Sequence, residues 1–326
     1  MTSSRLSLAL KSGAVVCPEG GRIGVFGARA ETDLTALPQS RVHIVQGFRP
    51  DHDALAQGGW DVAPEPKGPY AMAVIFLPRA KAEARAAIAA ASAATTGPLV
   101  IDGQKTDGIE SLLKDARRRG EVGQVVTKAH GKLFTVTGGD FSDWAAGPGP
   151  VAGGFVTAPG VFSADGPDRG SVLLAEALPK ALAGTVVDLG AGWGYLAAEI
   201  LRRETVTAID LVEANHAALA CARANISDPR ASFHWADAAA FTGGPYDAVV
   251  SNPPFHTSRA GDPLLGAAFI ETARRLLKPS GGLWLVANRH LPYEKTLADA
   301  FAEVTEIGRD PGFKIIHAKR PRKLRR

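Results

Sequence analysis

The chain has 326 residues, of which 45% are hydrophobic and 21% are charged, and its formal net charge is +4. This length accommodates two domains of ordinary size, and the composition excludes a disordered or fibrous protein. No apolar run approaches the roughly 20 residues needed to cross a bilayer, so no membrane association is expected. The only two cysteines, Cys17 and Cys221, are far apart in sequence. They favour a reducing, cytoplasmic location and cannot form a metal cluster by themselves.

In the first 144 residues, short apolar runs alternate with an Ala-rich helical pattern, which is clearest over residues 81–94. The apolar runs are at residues 24–26, 42–45, 72–77 and 99–101. Such alternation indicates βαβ units around a parallel sheet. A first α/β domain is therefore predicted over residues 1–144.

A stretch rich in Gly and Pro, residues 145–158, is predicted to be a linker because such residues interrupt regular structure. After it the strand–helix alternation recurs over residues 159–318. The apolar runs there are at residues 186–187, 206–211, 233–235, 248–250 and 283–286. The predicted fold class is α/β, with two tandem Rossmann-like domains.

In the second domain, an apolar run at residues 186–187 leads into alternating glycines and a predicted helix. The loop contains Asp188, Gly190, Ala191, Gly192 and Gly194. Glycines at such a crossover let the backbone approach a ligand, and the helix N-terminus supplies free N–H groups. The pattern also satisfies the Gly-x-Gly-x-x-Ala fingerprint of dinucleotide sites. Asp188 favours S-adenosylmethionine over a dinucleotide, because a carboxylate attracts the methionine ammonium and repels a pyrophosphate.

Carboxylates are expected where the next two strands end. Asp210 and Glu213 compete for the ribose hydroxyls, and Glu213 is favoured because the helical pattern that follows fits a strand ending there. Asp210 is then a buried or supporting residue. Asp237 follows the third strand and is placed to accept from an adenine amine, and Ala238 beside it is included in the cofactor site. Surface or helix-capping roles are the alternatives for Glu213 and Asp237.

Asn252-Pro253-Pro254-Phe255 follows the apolar run at residues 248–250. The Asn side-chain oxygen can accept from an N–H, the prolines hold the backbone rigidly, and the ring offers a stacking face. This equipment suits an exocyclic amine on a planar molecule and resembles motif IV of the amino-methyltransferases. A proline-rich strand exit without a catalytic role is the alternative.

Three blocks, residues 159–171, 252–256 and 286–293, together resemble the ribosomal RNA guanine-N2 methyltransferases. The resemblance implies two methyltransferase-like domains, of which only the C-terminal one binds the cofactor. In agreement, the first half contains neither the Asp-x-Gly-x-Gly-x-Gly loop nor an Asn-Pro-Pro-Phe motif. Its implied role is RNA contact and support of the catalytic domain. The chain departs from the family pattern at residues 257–261.

The resemblance implies that a methyl group passes from S-adenosylmethionine to the N2 amine of a guanine, with 16S rRNA favoured. Asn252 and the Pro253 carbonyl accept from the amine, and Phe255 stacks on the base. Phe162 covers the cofactor or the base entry, with core packing as its alternative. The expected partner of this monomeric enzyme is ribosomal RNA or a ribosomal subunit particle. No metal site is expected.

Three functional alternatives stay open. They are a large-subunit rRNA guanine-N2 methyltransferase, an adenine-N6 or protein-glutamine N-methyltransferase, and an RNA-binding protein with an inactive methyltransferase fold. Six of the last eight residues, 319–326, are Lys or Arg. This basic tail and the run 117–119 are either solvated segments or phosphate contacts.

Overall fold

The computed structural model describes residues 4–254 and 263–323. The chain divides into two compact units, a first unit over Met1–Gly147 and a second unit over Pro148–Arg326. Each unit is an α/β fold with its own β-sheet of parallel and antiparallel strands. The predicted fold class of two Rossmann-like domains is confirmed. Within the described residues, no helix has the length and apolar character required to span a membrane.

The first unit is built on an eight-stranded sheet in which helices alternate with the early strands. Its helices are α1 Arg5–Ser12, α2 Arg49–Gln57, α3 Lys81–Ala93 and α4 Ile109–Ala116. Its strands are β1 Ile23–Phe26, β2 Val42–Val45, β3 Asp61–Ala63, β4 Met72–Phe76, β5 Leu99–Gln104, β6 Glu121–Val122, β7 Val126–Lys128 and β8 Gly131–Thr137. The order is β3-β2-β1-β4-β5-β8-β6, with β7 paired to β8. The five early strands are parallel, and β8 is antiparallel to β5.

The second unit repeats this arrangement with longer strands. Its helices are α5 Arg169–Ala177, α6 Tyr195–Leu201, α7 His216–Asn225, α8 Pro263–Leu276 and α9 Glu294–Ala300. Its strands are β9 Gly149–Pro150, β10 Val156–Thr157, β11 Gly184–Leu189, β12 Val206–Glu213, β13 Ala231–Trp235, β14 Tyr246–Ser251, β15 Leu277–Asn288, β16 Phe301–Arg309 and β17 Phe313–Pro321. The main sheet has the order β13-β12-β11-β14-β15-β17-β16, with β17 antiparallel to both of its neighbours. The strand order reverses between β11 and β14, which is where α/β sheets open a crevice for ligands.

Alternating side chains of the central strands explain why helices cover both faces of this sheet. Val187 and Leu189 of β11 belong to one core cluster, together with Phe269 of α8. Val186 belongs to the cluster on the other face, together with Ile200 of α6. Successive residues of a strand point to opposite faces, so a strand buried on both faces is apolar throughout.

Two segments differ from the sequence prediction. Part of the predicted linker forms the antiparallel pair β9–β10, and Asn225 of α7 fixes it by accepting from Val156 N at 2.7 Å. The basic tail, expected from Lys319 onward as either a solvated segment or a phosphate contact, begins as part of the sheet, because β17 continues through Pro321. Lys319 pairs with Gly282 on one side and with Glu303 on the other, so this part of the segment belongs to the sheet.

Candidate active site

The glycine loop joins β11 to α6 at the point where the strand order reverses. Gly190, Gly192 and Gly194 have φ values of 76°, 56° and 90°, a region that side chains with a Cβ rarely adopt. A Cβ at Gly194 would also lie 2.9 Å from Ile226 Cδ1. The alternating glycines of the sequence are therefore required by backbone conformation and by packing. The turn brings backbone N–H groups to the carboxyl edge of the sheet.

Asp188 lies on β11 directly below this loop and is fully buried. Neither of its carboxylate oxygens has a hydrogen-bond partner among the described residues. Burial, and then the charge of Glu213, raise the pKa of Asp188 to about 7. A buried carboxylate without a compensating group is costly, and a cation removes that cost. Asp188 therefore fits a positively charged ligand group.

Glu213 is the last residue of β12, as the sequence predicted. Its Oε2 accepts from Gly192 N at 2.8 Å, and its Oε1 accepts from Asn215 N at 2.7 Å. Burial raises its pKa. Asp210, the competing acid, instead contacts His234 Nε2 at 2.8 Å and accepts from Tyr246 Oη at 2.5 Å. Glu213 thus braces the glycine loop, and Asp210 is part of a supporting network.

Asp237 and Ala238 follow β13 at the same edge of the sheet. Asp237 Oδ1 accepts from Ala239 N at 2.9 Å, which closes a short turn. Ala238 is buried in the core cluster that contains Val212. Both residues stand two or three positions beyond Trp235, the end of the strand, so the turn rather than the strand presents Asp237.

A cleft with an empty volume of about 360 Å³ lies beside the glycine loop. The lining residues are Phe162, Ser163, Asp168, Ser171, Gly190, Ala191, Gly192, Trp193, Tyr195, Leu196 and Asn252. The structure therefore brings together five of the residues singled out from the sequence: Phe162, Gly190, Ala191, Gly192 and Asn252.

The other predicted site residues are not part of this lining. In the described part of the chain they are Asp188, Gly194, Glu213, Asp237, Ala238 and Pro253. Two of them lie in strands at the base of the loop, Asp188 in β11 and Glu213 at the end of β12, and Gly194 ends the loop at the start of α6. Pro253 is buried just after β14. Phe255, to which the sequence assigns base stacking, lies outside the described residues.

Asn252 follows β14 and is 9% exposed. Its Nδ2 donates to Asp168 Oδ2 at 2.9 Å and to Ser171 Oγ at 2.8 Å. Its Oδ1 is buried and has no hydrogen-bond partner within the described residues. Asn252 lines the cleft, so this unused acceptor suits an N–H donor on a ligand.

Phe162 also lines the cleft, in the segment before α5. Its carbonyl accepts from Trp193 Nε1 at 3.1 Å, which ties the segment to the glycine loop. The Phe162 side chain is 55% exposed. This exposure contradicts the core-packing alternative and leaves the ring available to a ligand.

Asp168, Ser171 and Trp193 also form this cleft, although no sequence pattern predicted a role for them. A local signal exists for Asp168 alone, because an Asp just ahead of an apolar run is typical of a helix N-cap. The contacts of Asp168 and Ser171 with Asn252, 84 and 81 positions away, have no such signal.

The strand order, the glycine loop, the strand-end acids and the Asn-Pro-Pro exit of β14 together define a class I methyltransferase. Residues 152–317 match the family model of the methyltransferase small domain. The ribosomal RNA small subunit methyltransferase C of Shewanella oneidensis is 31% identical over 266 residues, covering 76% of this chain and 77% of the relative. The protein of the same name from Pseudomonas syringae is 30% identical over 323 residues, covering 92% of this chain and 95% of the relative.

A solved structure gives the same result for the fold. The 16S rRNA N2 guanine methyltransferase of T. thermophilus, in complex with AdoMet and guanosine, matches with a TM-score of 0.79. The match covers 98% of this chain and 92% of that chain, at 24% identity. The chain belongs to the family of the small-subunit ribosomal RNA methyltransferase C, and the predicted membership in the rRNA guanine-N2 methyltransferases is confirmed.

Proposed function

We propose that this protein transfers a methyl group from S-adenosylmethionine to the exocyclic N2 amine of a guanine in 16S ribosomal RNA. The observation that carries the proposal is the buried, unpartnered Oδ1 of Asn252 in a cleft walled by the glycine loop. The substrate class is supported by relatives named for the small ribosomal subunit and by a similar fold that holds AdoMet and guanosine.

Residues of the second unit are proposed to hold each part of the cofactor. When bound, S-adenosylmethionine supplies a methyl group activated by its sulfonium sulfur. Asp188, buried without a partner in the described chain, would hold the methionine ammonium. Glu213 would hold the ribose, because each carboxylate oxygen that accepts from a backbone N–H has a further lone pair. Asp237 and Ala238, on the next turn, would hold the adenine.

Asn252 and Pro253 act on the methyl acceptor. The lone pair of a guanine N2 amine is delocalised into the ring, so the amine is a weak nucleophile. Asn252 Oδ1 and the Pro253 carbonyl accept its two hydrogens, which favours a pyramidal nitrogen whose lone pair faces the methyl group. A strong base is unnecessary, since the amine proton becomes acidic only as the N–C bond forms, and water can then accept it. Positioning and preorganised acceptors then supply most of the rate.

Two aromatic residues complete the proposed substrate site. The half-exposed Phe162 ring contacts the cofactor or the entering base. Phe255 stacks on the base, which must be extruded from any helix to reach the cleft. Stacking on the two rings would contribute to affinity for any base, because every base has an aromatic face. The Asn252 oxygen would then select a base that carries an amine.

The direct test is methyl transfer from labelled S-adenosylmethionine to under-methylated small subunits and to free 16S rRNA, followed by mapping of the modified base. Large subunits, DNA and protein serve as controls for the open alternatives. Asn252→Ala is expected to abolish transfer while cofactor affinity, measured by calorimetry, stays nearly unchanged. Turnover of Asn252→Ala at the wild-type rate would overturn the mechanism, and N2-methylguanine formation only in large subunits would overturn the substrate.

We also propose that the active form is a cytoplasmic monomer in which residues 1–144 contact RNA and residues 159–318 catalyse. Among the basic run, Arg119 pairs with Asp143 at 2.6 Å and lies 4.6 Å from the Trp144 ring centroid. Arg118 also pairs with Asp115, at 3.7 Å, but its side chain is 65% exposed. Arg117, Arg118 and the basic residues after β17 are the proposed phosphate contacts. Light scattering on a sizing column tests the monomer. Charge-removing variants of Arg117 and Arg118 should flatten the salt dependence of RNA binding.

A further inference from the structure

The orientation of the Asn252 amide is decided at the N-terminus of α5. Asp168 is the residue that caps this helix, and its Oδ2 accepts from Ser171 N at 3.0 Å. The same oxygen accepts from Asn252 Nδ2 at 2.9 Å, and Ser171 Oγ lies 2.8 Å from that nitrogen. Both hydrogens of the amide nitrogen are therefore used, and its oxygen is turned away from α5.

Asp168 is the residue that makes this orientation unique. An ionised carboxylate can only accept a hydrogen bond, whereas a hydroxyl can donate or accept. If the Asn252 amide were flipped, its oxygen would face the Asp168 carboxylate and its N–H groups would face the cleft. Ser171 and Asn252 are 8% and 9% exposed, so solvent gives little relief from such an acceptor–acceptor contact.

We infer that Asp168 and Ser171 are positioning residues that hold the Asn252 oxygen toward the methyl-accepting amine. This inference rests on the proposed function of Asn252 and deepens it. Asp168 and Ser171 together form a clamp on the Asn252 amide, and this clamp restricts the site to groups that donate hydrogen bonds. A ligand with only an acceptor at that place would meet an oxygen that cannot turn aside. Selection of an amine is thus built into the contact between α5 and the exit of β14.

Two substitutions separate this clamp from the capping of α5. Asp168→Asn retains an acceptor oxygen for both Ser171 N and Asn252 Nδ2. Asp168→Ser retains a good N-cap, but its side chain is too short to reach Asn252. Asp168→Ser is expected to lower kcat by about 100-fold, whereas Asp168→Asn lowers it by about threefold. Cofactor affinity should change little in both variants, since only the side-chain amide of Asn252 loses a contact.

A swapped pair gives a readout that a structural role would not produce. Asn252→Asp places a second carboxylate at hydrogen-bonding distance from Asp168, and the two repel. In the double variant Asp168→Asn with Asn252→Asp, the donor lies at position 168 and an acceptor oxygen again faces the cleft. Turnover of the double variant should exceed that of Asn252→Asp by about tenfold or more. A double variant no faster than the single one counts against the clamp.

The amide itself can be followed without any substrate. The chain contains four asparagines, Asn215, Asn225, Asn252 and Asn288. A sample labelled with ¹⁵N only at asparagine therefore shows four side-chain amide pairs, and the pair lost in Asn252→Ala belongs to Asn252. Its two hydrogens should exchange slowly in the wild type and in Asp168→Asn. In Asp168→Ser they should exchange about tenfold faster or more.

The outcomes distinguish the clamp from the proposed function. Absence of guanine methylation by the wild-type protein would overturn the proposed function, and wild-type turnover of Asn252→Ala would overturn the role of Asn252. In both cases the exchange rates would still decide whether Asp168 holds the amide. Unchanged amide exchange in Asp168→Ser overturns the clamp. So does wild-type turnover in Asp168→Ser when Asn252→Ala is inactive. Slow turnover and fast exchange in Asp168→Ser, both restored in Asp168→Asn, support it.

Discussion

Replacing Asp188 with Asn should stabilise the cofactor-free protein at neutral and higher pH. The pKa of Asp188 rises from an ordinary 3.8 to about 7 in the folded protein, through burial and the charge of Glu213. Because the folded state holds this proton more tightly, the free energy of unfolding falls as pH rises from about 4 to 7. Three pKa units correspond to roughly 4 kcal/mol, which is the full cost of the buried charge at pH 8.

The amide introduced by Asp188→Asn cannot ionise, so the pH-dependent cost disappears in this variant. The buried amide keeps a penalty of about 1–3 kcal/mol, but a protonated Asp188 carries a similar penalty. The variant should therefore match the wild type near pH 4 and be more stable by up to about 4 kcal/mol at pH 8. Urea unfolding across this pH range measures the difference. Asp237→Asn, at an acid that is not fully buried, is the matched control and should show no such gain.

Cofactor binding should change in the opposite direction. Asp188→Asn loses the partner of the methionine ammonium, so its affinity for S-adenosylmethionine should fall by about 10- to 100-fold. In the wild type the carboxyl must be ionised to bind the cation. Affinity should therefore weaken as pH falls below about 7, with release of a proton that calorimetry in different buffers detects. An Asp188→Asn variant with the wild-type pH dependence of stability would refute this reasoning.

Three further substitutions test the packing around the site. Gly194→Ala places a methyl group at a φ of 90° and 2.9 Å from Ile226 Cδ1, so thermal unfolding should show a loss of about 1–3 kcal/mol; a change below about 0.5 kcal/mol would contradict the described turn. Tyr246→Phe removes a donor to Asp210 and should cost about 1–2 kcal/mol in urea unfolding, with unchanged cofactor affinity. Phe162→Ala removes a side chain that is 55% exposed, so stability should stay within about 0.5 kcal/mol while KM for RNA rises; an unaltered KM would exclude a substrate role.

Much of the second unit was predictable because its signals are local. A strand that runs into alternating glycines and then a helix predicts a ligand loop, and the positive φ angles of Gly190, Gly192 and Gly194 give the physical reason. Glu213 could be chosen over Asp210 because the helical pattern after it fixes where the strand ends. The basic segment was harder to predict. Charge favours solvent, yet backbone pairing on both sides keeps Lys319 in β17.

The sequence by itself determined the fold class, the position of the glycine loop and the amino acids at the strand ends, since these follow from periodicity and backbone conformation. Only the tertiary structure decided which of those side chains meet and which way they face. Asp168 reaches Asn252 across 84 positions, and the exposure of Phe162 depends on how its segment is tied to Trp193. A carboxylate can face solvent, cap a helix or orient an amide, and the identity of the residue does not choose among these. The packing of α5 against the end of β14 does.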